Sequence, residues 1–382
     1  MRRSADWALA CGLLVVAAVA PPAGAVRGHS LDLELGLTSF YESNILQYSK
    51  PQIDLFESGL RPERFSLKTR DDGVYSPHAA LGWEWDRGRG RRHALRFRWS
   101  GNFHQENATA DNREWSASWR ESSRRAGRLS LIYYSLQDYY LRQLFDEDAK
   151  PVYAGLTRHR RAEFDLRLGA VAWQVPIQGS ARLEFEYRYE NRHYNMNFSE
   201  RDSKAHQGTA SLGWRKLPRR GSVDLSGGYR HSHARGEDGD DRPGAVPDDP
   251  DISYHGFLAG LNGGFEVWRG GPTRLGADLA YGLETRRSDS DRPLDKFHYK
   301  RHDVRHAVEV GLHSAYRPHW SARGFYRFET NRANLGAQLL STTEAGSYRD
   351  HQVGVALEWS GTLWRQGRRA QPTEPTEGSE AP

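Results

Sequence analysis

The sequence predicts an all-β protein, a single transmembrane, antiparallel up-and-down β-barrel of about fourteen strands. Three observations predict it. Apolar and polar residues alternate with period two along most of the chain, which is the signature of strands with two different faces. Aromatic residues reach 12% of the 382 residues, yet mean hydropathy is only −0.80. That combination suits strands that show one face to lipid and the other to water. Connections between the alternating segments are short and long in turn. After residue 25 no stretch approaches eighteen consecutive apolar residues, so a helical membrane protein is excluded.

Residues 1–25 read as a secretory signal peptide. Arg2 and Arg3 form its charged start, Trp7 to Ala20 its apolar middle, and Ala23-Gly24-Ala25 a small-residue cleavage site. The sole cysteine, Cys11, lies inside it, so the mature chain holds no disulfide and must be stabilised otherwise. A closed sheet, with every backbone polar group paired around the ring, supplies that stability. Removing Arg2, Arg3 and Asp6 lowers the net charge from +5 to +4. On a chain this long that gives no reason to expect a nucleic-acid partner. The barrel is predicted over 26–365. From 366 to 382 the pattern stops, and Gln371-Pro372-Thr373-Glu374-Pro375 reads as a disordered periplasmic tail.

Fourteen alternating segments follow in order: 31–41, 74–86, 93–104, 114–120, 128–140, 161–174, 181–193, 205–215, 222–232, 253–268, 275–287, 303–316, 320–332 and 348–364. The second shows the pattern plainly. Tyr75, Ala79, Leu81, Trp83 and Trp85 alternate with Ser76, His78, Gly82, Glu84 and Asp86. In the seventh, Leu183, Phe185, Tyr187 and Tyr189 alternate with Arg182, Glu184, Glu186, Arg188 and Glu190. Such a charged face is too costly to bury in a dry sandwich. The fifth segment is the least regular, with Leu131, Ile132, Tyr133 and Tyr134 apolar in succession.

Connections after even-numbered segments are short, such as 87–92, 175–180, 216–221, 269–274 and 317–319. Those after odd-numbered segments are mostly long and polar: 42–73, 105–113, 141–160, 194–204, 233–252, 288–302 and 333–347. Short periplasmic turns and long extracellular loops produce that rhythm. Trp83, Trp85, Trp119, Trp214, Phe265, Tyr316, Trp320 and Trp359 border the short turns and suit a membrane-interface girdle.

Signal peptide, even strand count, alternating loops and aromatic band together resemble Gram-negative outer-membrane β-barrel proteins, of porin-like type. More locally, Tyr41-Glu42-Ser43-Asn44-Ile45 looks like a segment that opens many such barrels. Some of those belong to polysaccharide-export or surface-lipoprotein systems. The resemblance implies a cell outer-membrane location, contact with membrane lipid and lipopolysaccharide, and insertion by the barrel-assembly machinery. The helical-repeat domain that surface-lipoprotein modifiers carry before the barrel is absent. The final aromatic residue common in such barrels is replaced by the tail.

Fourteen tilted strands close into a cylinder roughly 28 Å across at the backbone. Its predicted pore lining is Arg96, Arg98, Arg161, Glu163, Asp165, Arg167, Arg182, Glu184, Glu186, Arg188, Arg305, Glu309, Arg323, Arg327 and Glu329. One register sets Arg167 opposite Glu186 and Asp165 opposite Arg188. Such residues either set the field for a hydrophilic solute or brace the wall as Arg–Glu ladders. Segment 42–73, with Ile45, Leu46, Ile53, Leu55, Phe56 and Phe65, either enters the mouth as a constriction or caps the rim. Seven carboxylates between Glu237 and Asp251 match no complete EF-hand loop. His231 and His233 share a strand face, but no third zinc ligand is evident in sequence. His93, His255 and His306 are placed on the lipid face, and no serine-elbow, zincin or phosphate-loop motif accompanies them.

The sequence therefore points to a non-enzymatic outer-membrane channel that passes hydrophilic solutes, without cofactor or bound metal. Two rivals stand beside it. One is an export or assembly component docking a periplasmic partner on Arg-rich turns (Arg87, Arg89, Arg91, Arg92, Arg124, Arg125, Arg219 and Arg220). The other is a closed structural or adhesive barrel.

Overall fold

The computed structural model describes residues 28–88, 90–123, 126–145, 159–234, 251–271, 273–291, 298–316, 319–334 and 346–366. The expected signal peptide, the tail beyond 366 and most of the acidic loop lie outside these residues, as do Arg89, Arg124 and Arg125.

All fourteen segments are strands. They are β1 (Gly28–Glu42), β2 (Asp72–Gly88), β3 (Arg91–His104), β4 (Asn112–Ser123) and β5 (Gly127–Phe145). Next come β6 (His159–Pro176), β7 (Ala181–Tyr194), β8 (Ser203–Leu217), β9 (Gly221–Ala234) and β10 (Tyr254–Gly270). The last are β11 (Thr273–Ser288), β12 (His302–Tyr316), β13 (Trp320–Asn334) and β14 (Tyr348–Gln366). Each pairs antiparallel with its sequence neighbours, and β1 pairs with β14 to close the ring. Closure leaves no strand edge for another chain to extend.

Register propagates one face around the whole barrel. Leu35 of β1 lies opposite Ala79 of β2 and Trp359 of β14, and Ala79 lies opposite Trp99 of β3. This face carries large exposed apolar groups such as Leu37, Leu81, Phe185, Leu279, Val310 and Val355. The other face looks inward. Tyr139 of β5 interacts electrostatically with Glu42 of β1, Arg192 of β7 and Arg305 of β12, strands that meet only across the interior.

The turns join strands at one end of the ring and the long segments join them at the other. Gly127 starts β5 with φ +80°, and a Cβ there would collide with the Gln174 carbonyl, so only glycine serves. The register of β5 is unbroken over 131–134, where both faces are apolar, while further on register shifts between Leu136 and Tyr139 and between Tyr140 and Arg142, with Asp138 at φ +52°, interrupt the ladder.

Candidate functional site

The inner wall presents charged side chains between small ones, and the small ones decide which charges meet. On β8, Gly213 stands between Arg182 of β7 and Asp224 of β9, which close over it at 2.7 Å. On β12, Gly311 lets Arg323 of β13 reach Asp278 of β11 at 2.6 Å, while Arg323 also holds Glu309 at 2.7 Å. A Cβ on either glycine would intrude on both partners. The most buried pair is Arg230 of β9 with Glu190 of β7, joined by two hydrogen bonds of 3.0 and 2.6 Å, with both side chains about 10% exposed. Arg305 binds Glu329 at 2.7 Å, and Arg327 binds the same carboxylate at 3.0 Å. Arg96 reaches Glu34 at 2.5 Å, and Arg98 stands 3.9 Å from that carboxylate. Along β7, Arg188 donates to Glu186, and Gln174 donates to Glu184 at 2.8 Å.

Eleven of the fifteen residues proposed for the lining therefore share the inner face: Arg96, Arg98, Arg182, Glu184, Glu186, Arg188, Arg305, Glu309, Arg323, Arg327 and Glu329. The four on β6 do not. Val171 pairs with Tyr187 and Trp173 with Phe185, so the odd residues of β6 face outward. Arg161, Glu163, Asp165 and Arg167 belong to that same series. Arg167 lies opposite Asn191 and Asp165 opposite His193, which replaces the proposed pairing with Glu186 and Arg188. The outer face of β6 is apolar near its turn and charged near its long connection. Polarity alone points to opposite faces for the two halves of one strand. Inward, β6 shows Leu166, Leu168, Ala170 and Ala172 beside Leu136, Tyr134 and Ile132 of β5.

The inner face also carries Glu34, Asp224, Asp278, Arg230, Glu284 and Arg286, beyond the proposed lining, together with Glu190 of the charged series on β7. Each continues an alternating series already visible on its strand. Arg286 holds Glu284 through hydrogen bonds of 2.8 and 3.0 Å.

Segment 43–71 is anchored by the Ser43-Asn44 pair. The Asp350 carboxylate accepts from the Ser43 hydroxyl and the Asn44 amide at 3.1 Å each. The buried Asn44 side chain donates to the Tyr48 and Arg349 carbonyls and accepts from the Tyr48 amide. Helix α1 (Lys50–Glu57) begins where the Gln52 side chain accepts from the Ser49 amide at 3.0 Å. Ile45, Leu46, Tyr48 and Leu67 pack with Ala110 and Tyr140, while Ile53, Phe56 and Phe65 lean on this cluster. Burial there pushes the Tyr48 phenol above its ordinary pKa.

The segment crosses the mouth. Gln47 donates to Glu329 of β13 at 3.1 Å, and the adjacent Leu46 carbonyl accepts from Arg142 of β5 at 3.2 Å. Those strands stand six places apart in a ring of fourteen. The segment thus joins two distant stretches of the ring, β5 and β13, through Leu46 and Gln47.

All eight proposed girdle aromatics lie on the outer face, near the short turns. Trp85 differs in being only 1% exposed, stacked on His93, which in turn approaches Trp119. His255 and His306 share that face. Among the described residues one group is spaced for a metal ion: Glu34, His78 and Glu358.

No protein-family profile matches the chain, and no curated protein does. Among solved structures it is similar to a bacterial polysaccharide outer-membrane secretin, at 10% identity and TM-score 0.44, over 87% of this chain and 98% of that one. It is similar to an anion-selective porin from Comamonas acidovorans, at 10% identity and TM-score 0.39, over 87% and 99% of the two chains. OprD from Pseudomonas aeruginosa aligns at 10% identity and TM-score 0.36, over 88% and 94%. The fold itself, a closed antiparallel ring of fourteen strands, is that of the Gram-negative outer-membrane β-barrel class.

Proposed function

We propose that the protein is an outer-membrane channel that passes hydrophilic solutes through a charged lumen, with segment 43–71 as its constriction. The carrying observation is the crossbar at Leu46 and Gln47, set over a wall of paired charges. The exposed apolar outer face suits hydrocarbon, and the aromatic rows beside the short turns suit its periplasmic border. Lipid and lipopolysaccharide are the natural surroundings of such a surface, and the barrel-assembly machinery is its route of insertion. The paired charges give the lumen mixed sign, which favours weak rather than strong ion selectivity.

Planar-bilayer recording tests the reading. The wild-type protein should show discrete, ohmic steps. Replacing residues 46–69 by a short Gly-Ser linker should raise unit conductance severalfold. Silence from both proteins after confirmed insertion would favour the closed structural barrel. Equal conductance from both would remove the constriction from segment 43–71.

A further inference from the structure

Another inner-face glycine that separates two polar side chains differs from Gly213 and Gly311. Gly36 of β1 lies opposite His78 of β2 on one side and Glu358 of β14 on the other. A Cβ at Gly36 would collide with the imidazole that lies over it. At Gly213 and Gly311 the flanking groups close directly to 2.7 and 2.6 Å. At Gly36 they stop short. His78 Nε2 stands 3.7 Å from Glu358 Oε2 and 3.7 Å from Glu34 Oε1. The His78 side chain is 9% exposed, and its Nε2 is buried without a hydrogen-bond partner. A buried imidazole nitrogen aimed at two carboxylate oxygens is an unmet demand.

The gap has the dimensions of an ion. All three donor atoms lie within 4.8 Å of one another. Tetrahedral zinc, with bonds of about 2.0–2.2 Å, sets its donors about 3.3–3.5 Å apart; the two His78 distances of 3.7 Å are within a few tenths of an ångström of that, and the two carboxylates, no more than 4.8 Å apart, make up the rest by side-chain rotation. The second oxygen of Glu34 is already held by Arg96 at 2.5 Å, an outer contact that fixes the ligand's orientation. Glu358 is 40% exposed, leaving a path for the ion and for a water in the fourth position. Arg98, 3.9 Å from Glu34, is the cation an incoming ion must displace. We propose that Glu34, His78 and Glu358 bind a divalent transition-metal ion, zinc by their donor set, across the seam where the first and last strands meet. One imidazole with two carboxylates favours zinc over calcium or magnesium, which take oxygen alone.

Equilibrium dialysis of the purified protein in micelles against zinc tests this, whether or not the barrel conducts. The wild type should take up about one saturable equivalent. His78→Ala and the near-isosteric Glu358→Gln should each weaken uptake more than about tenfold. Glu184→Gln, on the same wall but remote from the seam, should leave it unchanged. Heat-modifiable gel migration checks that each variant is folded. No saturable uptake by the wild type, or uptake that persists in both folded seam variants, overturns the site.

Discussion

Two stretches of the same inner wall are built on different principles. From β7 to β13 the interior is a network of ion pairs, including Arg230 with Glu190, Arg323 with Asp278 and Glu309, and Arg305 with Glu329. Over 132–136 of β5 and 166–172 of β6 it is apolar, with Leu136 opposite Leu166, Tyr134 opposite Leu168 and Ile132 opposite Ala170. The charged stretch needs small residues between its partners, and Gly213 and Gly311 supply them. The apolar stretch needs none, and its strand carries its charges outside instead. The contrast shows that "polar inside" is a property of the ring as a whole and not of each strand.

The largest expected effect breaks the charged stretch at its most buried pair. Glu190→Ala leaves Arg230 without its carboxylate in a site where both side chains are about 10% exposed. The expected loss is about 3–5 kcal/mol, read by denaturant unfolding of the detergent-solubilised barrel. A loss under about 1 kcal/mol would class the pair with exposed salt bridges.

A smaller effect sharpens the contrast in selectivity. Leu168→Arg places a cation on the apolar inner stretch and should shift the reversal potential toward anions. Arg167→Ala, one residue away on the outer face, should leave it unchanged. If instead Arg167→Ala moved the potential and Leu168→Arg did not, the assignment of β6 faces would be reversed.

The smallest concerns the crossbar. The Tyr48 phenol, its hydroxyl buried without a hydrogen-bond partner, is held neutral by desolvation. Its pKa is raised on folding, so the contribution is fully present below the unfolded value of about 10. It is lost as pH rises above that toward the folded value. Tyr48→Phe should flatten the alkaline limb of a conductance or proteolysis profile while leaving neutral pH unaffected. An identical alkaline limb in the variant would place the sensitivity elsewhere.

The strands, their order and most of their faces were legible in sequence because alternation is local: Leu183 to Tyr189 declare their two media without reference to any partner. The turn-side aromatics were legible for the same reason. What tertiary structure alone decided was non-local. The face of β6 follows from pairing Val171 with Tyr187, since polarity in 161–167 and in 171–173 points to opposite faces. The crossbar depends on Leu46 and Gln47 meeting strands six places apart. The cluster at Gly36 joins residues 34, 78 and 358, brought together only when the last strand closes on the first. A period-two pattern carries the environment of each side chain; which partner stands opposite it is set by register, and register belongs to the closed ring.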